Sequence, residues 1–90
     1  MPATMHYHKQ FTQTSALPLS DQIAKALNTY FENMGDQTPE NLYHLVMTEV
    51  ELPLLQAVMR YTNENQSLAA QILGINRGTF RKKLAFYGML

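Results

Sequence analysis

Ninety residues are enough for one compact domain and too few for two, and such a domain buries only about two-thirds of the surface of its unfolded chain. Hydrophobic residues make up 46% and charged residues 16%, an apolar surplus best hidden in a partner, most simply a second copy; cysteine is absent, which excludes disulfides and thiolate metal sites. The net charge of zero conceals a segregation: residues 1–59 set Lys9 and Lys25 against six acids, whereas residues 60–90 set Arg60, Arg77, Arg81, Lys82 and Lys83 against Glu64 alone. A basic contact surface on an acidic body makes nucleic acid the first partner to consider.

Residues 1–18 are polar, hold no Asp or Glu and show no sustained period, so they read as a flexible N-terminal arm, partly extended around Tyr7 to Thr14. The start, Met1-Pro2-Ala3-Thr4-Met5-His6, lacks the basic and apolar pattern of a signal peptide, and no apolar run reaches the roughly 18 residues of a membrane span. The expected location is cytoplasmic, with no membrane contact. After Pro18, Ser20 is the expected N-cap of a first helix, with Asp21 in its first turn. Ile23, Leu27, Tyr30, Phe31 and Met34 follow at helical spacing, and Gly35 is the natural stop.

Thr38 and Pro39 signal a second helix over 39–62. Its apolar positions (Leu42, Leu45, Val46, Val50, Leu54, Leu55, Val58, Met59, Tyr61) are joined by Met47, Leu52 and Ala57, so the helix is apolar on more than one side. Such a helix is buried on more than one side, which again implies a dimer. Pro53 interrupts the hydrogen-bond ladder without a flanking glycine, so one bent helix is expected rather than two. Tyr30, Phe31 and Tyr61 are expected core aromatics. Asn63-Glu64-Asn65-Gln66 forms a turn, Asn65 caps a short third helix through Leu73, and Gly74 ends it. Asn76 caps a fourth helix running to Tyr87, with Gly88 beyond it. The fold class is all-α, with an arm over 1–18, dimerisation helices over 19–62 and a DNA-binding segment over 63–90.

Two short helices joined at a glycine form the helix-turn-helix pattern: Ala70 allows a close crossing, Gly74 the positive φ of the turn, and Phe80, Leu84 and Tyr87 point inward. The other side of the last helix collects Gly78, Thr79, Arg81, Lys82, Ala85 and Phe86, flanked by Arg77. Arg and Lys donate to guanine edges, and threonine meets a phosphate or a thymine methyl. Gly78 would allow close approach to the groove, whereas in a merely solvated helix it costs about 1 kcal/mol relative to Ala. The competing reading is a dimeric helical adaptor whose basic end docks an acidic protein.

The run Gly74-Ile-Asn-Arg-Gly-Thr-Phe-Arg-Lys-Lys-Leu-Ala-Phe-Tyr-Gly-Met89 resembles the C-terminal signature of the Fis family (factor for inversion stimulation). Leu42-Tyr43 to Thr62, with Glu49-Val50-Glu51-Leu52-Pro53-Leu54-Leu55, is similar to that family's long second helix, interior proline included. The recognition motif alone also occurs in enhancer-binding activators, but those carry an ATPase domain for which 90 residues leave no room. The resemblance implies an intertwined homodimer with a four-helix core, acting as a nucleoid-associated regulator that bends double-stranded DNA. RNA polymerase or a recombinase would be its further partners.

By the same resemblance the DNA contacts are Asn65, Gln66, Ser67, Asn76, Arg77, Thr79, Arg81, Lys82 and Lys83. Arg77 is the implied base reader, and the others mainly position phosphates. Departures from the family pattern at Leu68, Ala85, Phe86 and Asn63-Glu64 imply fewer flanking phosphate contacts. Residues 1–17 do not match the arm that stimulates a DNA invertase in some members. His6, His8 and His44 lack the ligand partners of a metal site, Glu49 and Glu51 point to different sides of a helix, and no phosphate-cradling glycine loop or nucleophile arrangement is present. Neither a cofactor nor an enzymatic activity is expected.

Overall fold

The computed structural model describes residues 17–90. All of the expected arm but Leu17 and Pro18, His6 and His8 included, lies outside the described residues. Four helices follow in chain order: α1 (Leu19–Met34), α2 (Leu42–Tyr61), α3 (Gln66–Leu73) and α4 (Arg77–Phe86). The described residues contain no strand.

Helix α1 begins before the expected cap. Pro18 is its N-cap, with φ −57° and ψ 154°, and its carbonyl accepts from the N–H groups of Asp21 and Gln22 at 3.0 and 3.1 Å. The proline ring already holds a near-helical φ, so the ladder starts there and Ser20 lies inside the first turn. Asp21 sits in that turn and Gly35 closes the helix at φ 61°, both as expected. Helix α1 has no fully buried residue, and the chain divides into two compact units after Glu40.

Helix α2 begins three residues later than Thr38 and Pro39 suggest. Asn41 adopts the left-handed conformation (φ 54°, ψ 34°), which no interior helical residue takes, and its carbonyl accepts the first helical bond from Leu45 at 3.0 Å. Asparagine tolerates that backbone better than most residues. The helix then continues unbroken through Pro53 for 20 residues, about 30 Å.

The core of the second unit is small. Leu55, Val58 and Met59 from α2 meet Ala69 and Ala70 from α3 and Phe80 and Leu84 from α4, with Leu73, Ile75, Tyr87 and Met89 packed at the rim. Phe80 and Leu84 are wholly removed from solvent. Thr62 is buried as well, and its hydroxyl donates to the Val58 carbonyl at 2.9 Å, so the polar group is satisfied where α2 ends.

Only the C-terminal part of α2 enters this core. Leu55, Val58, Met59 and Thr62 form one stripe along it. Tyr43, Met47, Val50, Leu54, Ala57 and Tyr61, spaced alternately by four and three residues, form a second stripe about 100° away, and all six are exposed. Tyr61 is 80% exposed and Phe31 44%, so neither is a core aromatic of the single chain. For Tyr61 the error comes from treating every apolar position at helical spacing as one face: α2 has two, and the core of its own unit covers one.

Candidate nucleic-acid interface

The α3–α4 pair is built from local signals. Asn65 Oδ1 accepts from the Leu68 N–H at 3.0 Å and caps α3. At its far end Gly74 takes φ 74°, and the N–H groups of Gly74 and Ile75 donate back to Gln71 and Ala70, both at 3.1 Å. This paired closure turns the chain sharply and drops Ile75 onto the core. The same pattern closes α2, where Glu64 donates to Met59 at 2.9 Å, and α4, where Met89 donates to Leu84 at 2.8 Å. After α2 the turn runs through Asn63 and Glu64, both at positive φ without being glycine.

Helix α4 starts at an asparagine cap of its own. Asn76 Oδ1 accepts from the N–H groups of Gly78 at 2.7 Å and Thr79 at 3.3 Å. A Cβ built on Gly78 would lie 3.0 Å from that oxygen. The glycine therefore has a structural reason independent of any groove: the cap crowds it. Gly78 thus does not by itself separate a DNA reader from an adaptor.

Around α4 the side chains divide sharply. Phe80 and Leu84 point into the core, while Arg77, Gly78, Thr79, Arg81 and Lys82 are exposed. Asn76 and Ser67 are exposed too, and Gln66 is half-buried. Arg81 donates from its guanidinium to Gln66 Oε1, tying α3 to α4 across the turn. Thus Asn65, Gln66, Ser67, Asn76, Arg77, Thr79, Arg81 and Lys82 lie on α3, α4 and their caps. Asn65 and Asn76 commit their side-chain oxygens to the caps, and an asparagine amide retains NH2 donors besides.

Lys83 is placed differently. One residue beyond Lys82 is a rotation of 100°, and its Nζ lies 2.8 Å from Glu51 Oε2 on α2. Glu51 Oε1 accepts from the Tyr87 hydroxyl at 2.7 Å. These hydrogen bonds, Lys83 first and Tyr87 second, hold the Glu51 carboxyl below its ordinary range. Desolvation, followed by the bond to Glu51, pushes the Tyr87 phenol up to about 12. Sequence reasoning missed this group. A signal existed, because Glu51 lies one turn before Leu55 on the core-facing stripe of α2.

Phe86, expected among the outward residues, is 65% exposed, yet its ring packs edge-on against His44 of α2 at 6.3 Å between centroids and against Tyr87 at 4.9 Å. Edge-to-face contacts of this kind fasten the last turn of α4 to the first turn of α2.

Comparison with known proteins gives one answer. The profile of the bacterial regulatory protein, Fis family, matches residues 46–87. The DNA-binding protein Fis of Proteus mirabilis (strain HI4320) is 52% identical over 87 residues, covering 97% of this chain and 86% of that protein. Proteins of the same name from Sodalis glossinidius (strain morsitans) and Yersinia enterocolitica (serotype O:8) are each 51% identical over the same shares of both chains.

Proposed function

The chain belongs to the Fis family of bacterial regulatory proteins, and from that premise we infer that it is a homodimer that binds and bends duplex DNA as a nucleoid-associated transcriptional regulator. The observation that carries this reading is the division of α4: Phe80 and Leu84 anchor it while Arg77, Thr79, Arg81 and Lys82 stay exposed beside the cap of α3. A ten-residue helix so presented fits a major groove. Arg77, in its first turn, reaches forward to a guanine edge. Thr79, Arg81, Lys82, Asn76 and the start of α3 (Asn65, Gln66, Ser67) hold phosphates and set the register.

Dimerisation is supported by the exposed second stripe of α2. Tyr43, Met47, Val50, Leu54, Ala57 and Tyr61 keep the alternating three-and-four spacing with which helices pack side by side. A monomer leaving that stripe in water would gain little from folding it. The segment 19–62 therefore serves association, and 63–90 serves DNA. Among the described residues no helix is long and apolar enough to cross a membrane, and the protein works on the nucleoid in the cytoplasm.

The test is a binding titration on duplex DNA over a series of salt concentrations. The logarithm of affinity should fall linearly with the logarithm of salt, with a slope near −0.9 for each phosphate neutralised. A slope near zero would sink the DNA reading and leave the adaptor that docks an acidic protein.

A further inference from the structure

We propose that Glu51 is a positioning residue for α4, and that Lys83 joins it in a clasp between α2 and α4 instead of contacting a DNA phosphate. The proposal rests on the DNA reading above. Both oxygens of the Glu51 carboxylate are engaged, one by Lys83 at 2.8 Å and the other by Tyr87 at 2.7 Å. Those two residues are four apart, in the last turn of α4 and at its C-cap, so they grip the helix end at points about 6 Å apart along its axis. A two-point grip opposes rolling of the helix. Phe80 and Leu84 seat α4 in the core, but apolar contacts are not directional and permit small rotations about the axis. Such a rotation decides whether Arg77 meets a base edge squarely, since a bidentate contact is sensitive to angle.

Electrostatics keeps Lys83 where it is. The Lys83 side chain is 36% exposed and that of Glu51 26%, so the pair is partly shielded from water. If Lys83 left for a phosphate, Glu51 would lose its cation as a polyanion approached. Lys82, exposed and rotated 100° away, forms no ion pair among the described residues and is placed to serve the DNA backbone.

The experiment compares the full chain with Lys82→Ala, Lys83→Ala, Lys83→Arg and Glu51→Gln. Each is titrated over a salt series on a selected site and on random duplex. Lys82→Ala should flatten the salt slope by about 0.9 for every phosphate lost. Lys83→Ala should leave the slope unchanged while reducing the preference for the selected site by about fivefold, the scale of one partly exposed ion pair. Lys83→Arg, which retains the pair, should restore that preference. Glu51→Gln should lose the same preference while steepening the slope, because Lys83 is released.

A Lys83→Ala slope flattened as much as that of Lys82→Ala, with site preference intact, overturns the clasp and leaves the DNA reading standing. If Lys83→Ala does not fold, Glu51→Gln decides alone: unchanged preference and unchanged slope overturn the proposal. A flat slope in the unmodified protein overturns both readings together.

Discussion

Helix α2 carries two apolar stripes of similar composition and opposite fate. Leu55, Val58 and Met59 are buried against α3 and α4, whereas Met47, Val50 and Leu54 remain 38–48% exposed in the single chain. Composition does not separate these two trios, since each holds one Leu, one Val and one Met. Position does: the first stripe lies where the turn after Thr62 folds the chain back, and the second faces nothing that unit contains. An apolar face retained along most of a 20-residue helix and left uncovered by the core of its own unit supports the proposed association with a second chain.

The first stripe is the harder to damage without loss of the fold. Phe80 is fully buried at the centre of the small core, and Phe80→Ala should cost about 3–5 kcal/mol, enough to unfold α3 and α4 at ordinary temperature. Circular dichroism and denaturant titration read this directly. A cost under 1 kcal/mol would mean that the core closes around the gap.

The second stripe should respond through association. Leu54→Asp places a charge at 48% exposure in one chain, a small change for a monomer. In a dimer it should raise the dissociation constant at least a hundredfold, roughly 3 kcal/mol. Sedimentation equilibrium and the concentration dependence of unfolding measure the effect. If the unmodified protein sediments as a folded monomer at low micromolar concentration, the contrast between the stripes is only one of exposure.

Arg77→Ala tests what the buried stripe supports. It should remove about 1–3 kcal/mol of discrimination for a guanine in each half-site while leaving non-specific affinity largely intact. The two guanines should be symmetrically placed on opposite strands, as a two-fold dimer demands. Site selection on both proteins reads the outcome, and identical base preferences would make Arg77 one more phosphate clamp.

The smallest effect belongs to the group joining α2 to α4. The Glu51 carboxyl is held below the ordinary 4.5 by Lys83 and then Tyr87. Its contribution to stability is therefore present above that value and is lost as pH falls through the lower, folded pKa. The melting difference between the unmodified protein and Glu51→Gln should be under about 1 kcal/mol near neutrality and vanish well below pH 4.5. A difference that persists in acid would assign the loss to packing.

Much of the local structure of the candidate interface was legible beforehand because its signals are short-range. Asn65 and Asn76 cap within three residues of themselves, Gly74 closes α3 through bonds to Ala70 and Gln71, and Phe80 and Leu84 share a face by helical spacing alone. The same local logic failed at two helix starts, where Pro18 and Asn41 took over from Ser20 and Thr38. Both failures concern which of several plausible residues caps first, a choice separated by little free energy.

The sequence by itself determined the all-α class, the order of the helices, the turn between α3 and α4 and the basic character of the last helix. Each depends on residues within one or two turns of each other, whose geometry the helix dictates. Only the tertiary structure decided that α2 has two stripes with different neighbours and that Lys83 turns inward to Glu51. The last is the clearest case, because the Tyr87 hydroxyl and the Glu51 carboxylate it meets are 36 positions apart in the chain. No periodicity reaches that far; the contact exists because the Gly74 turn and the packing of Phe80 bring α4 back across α2.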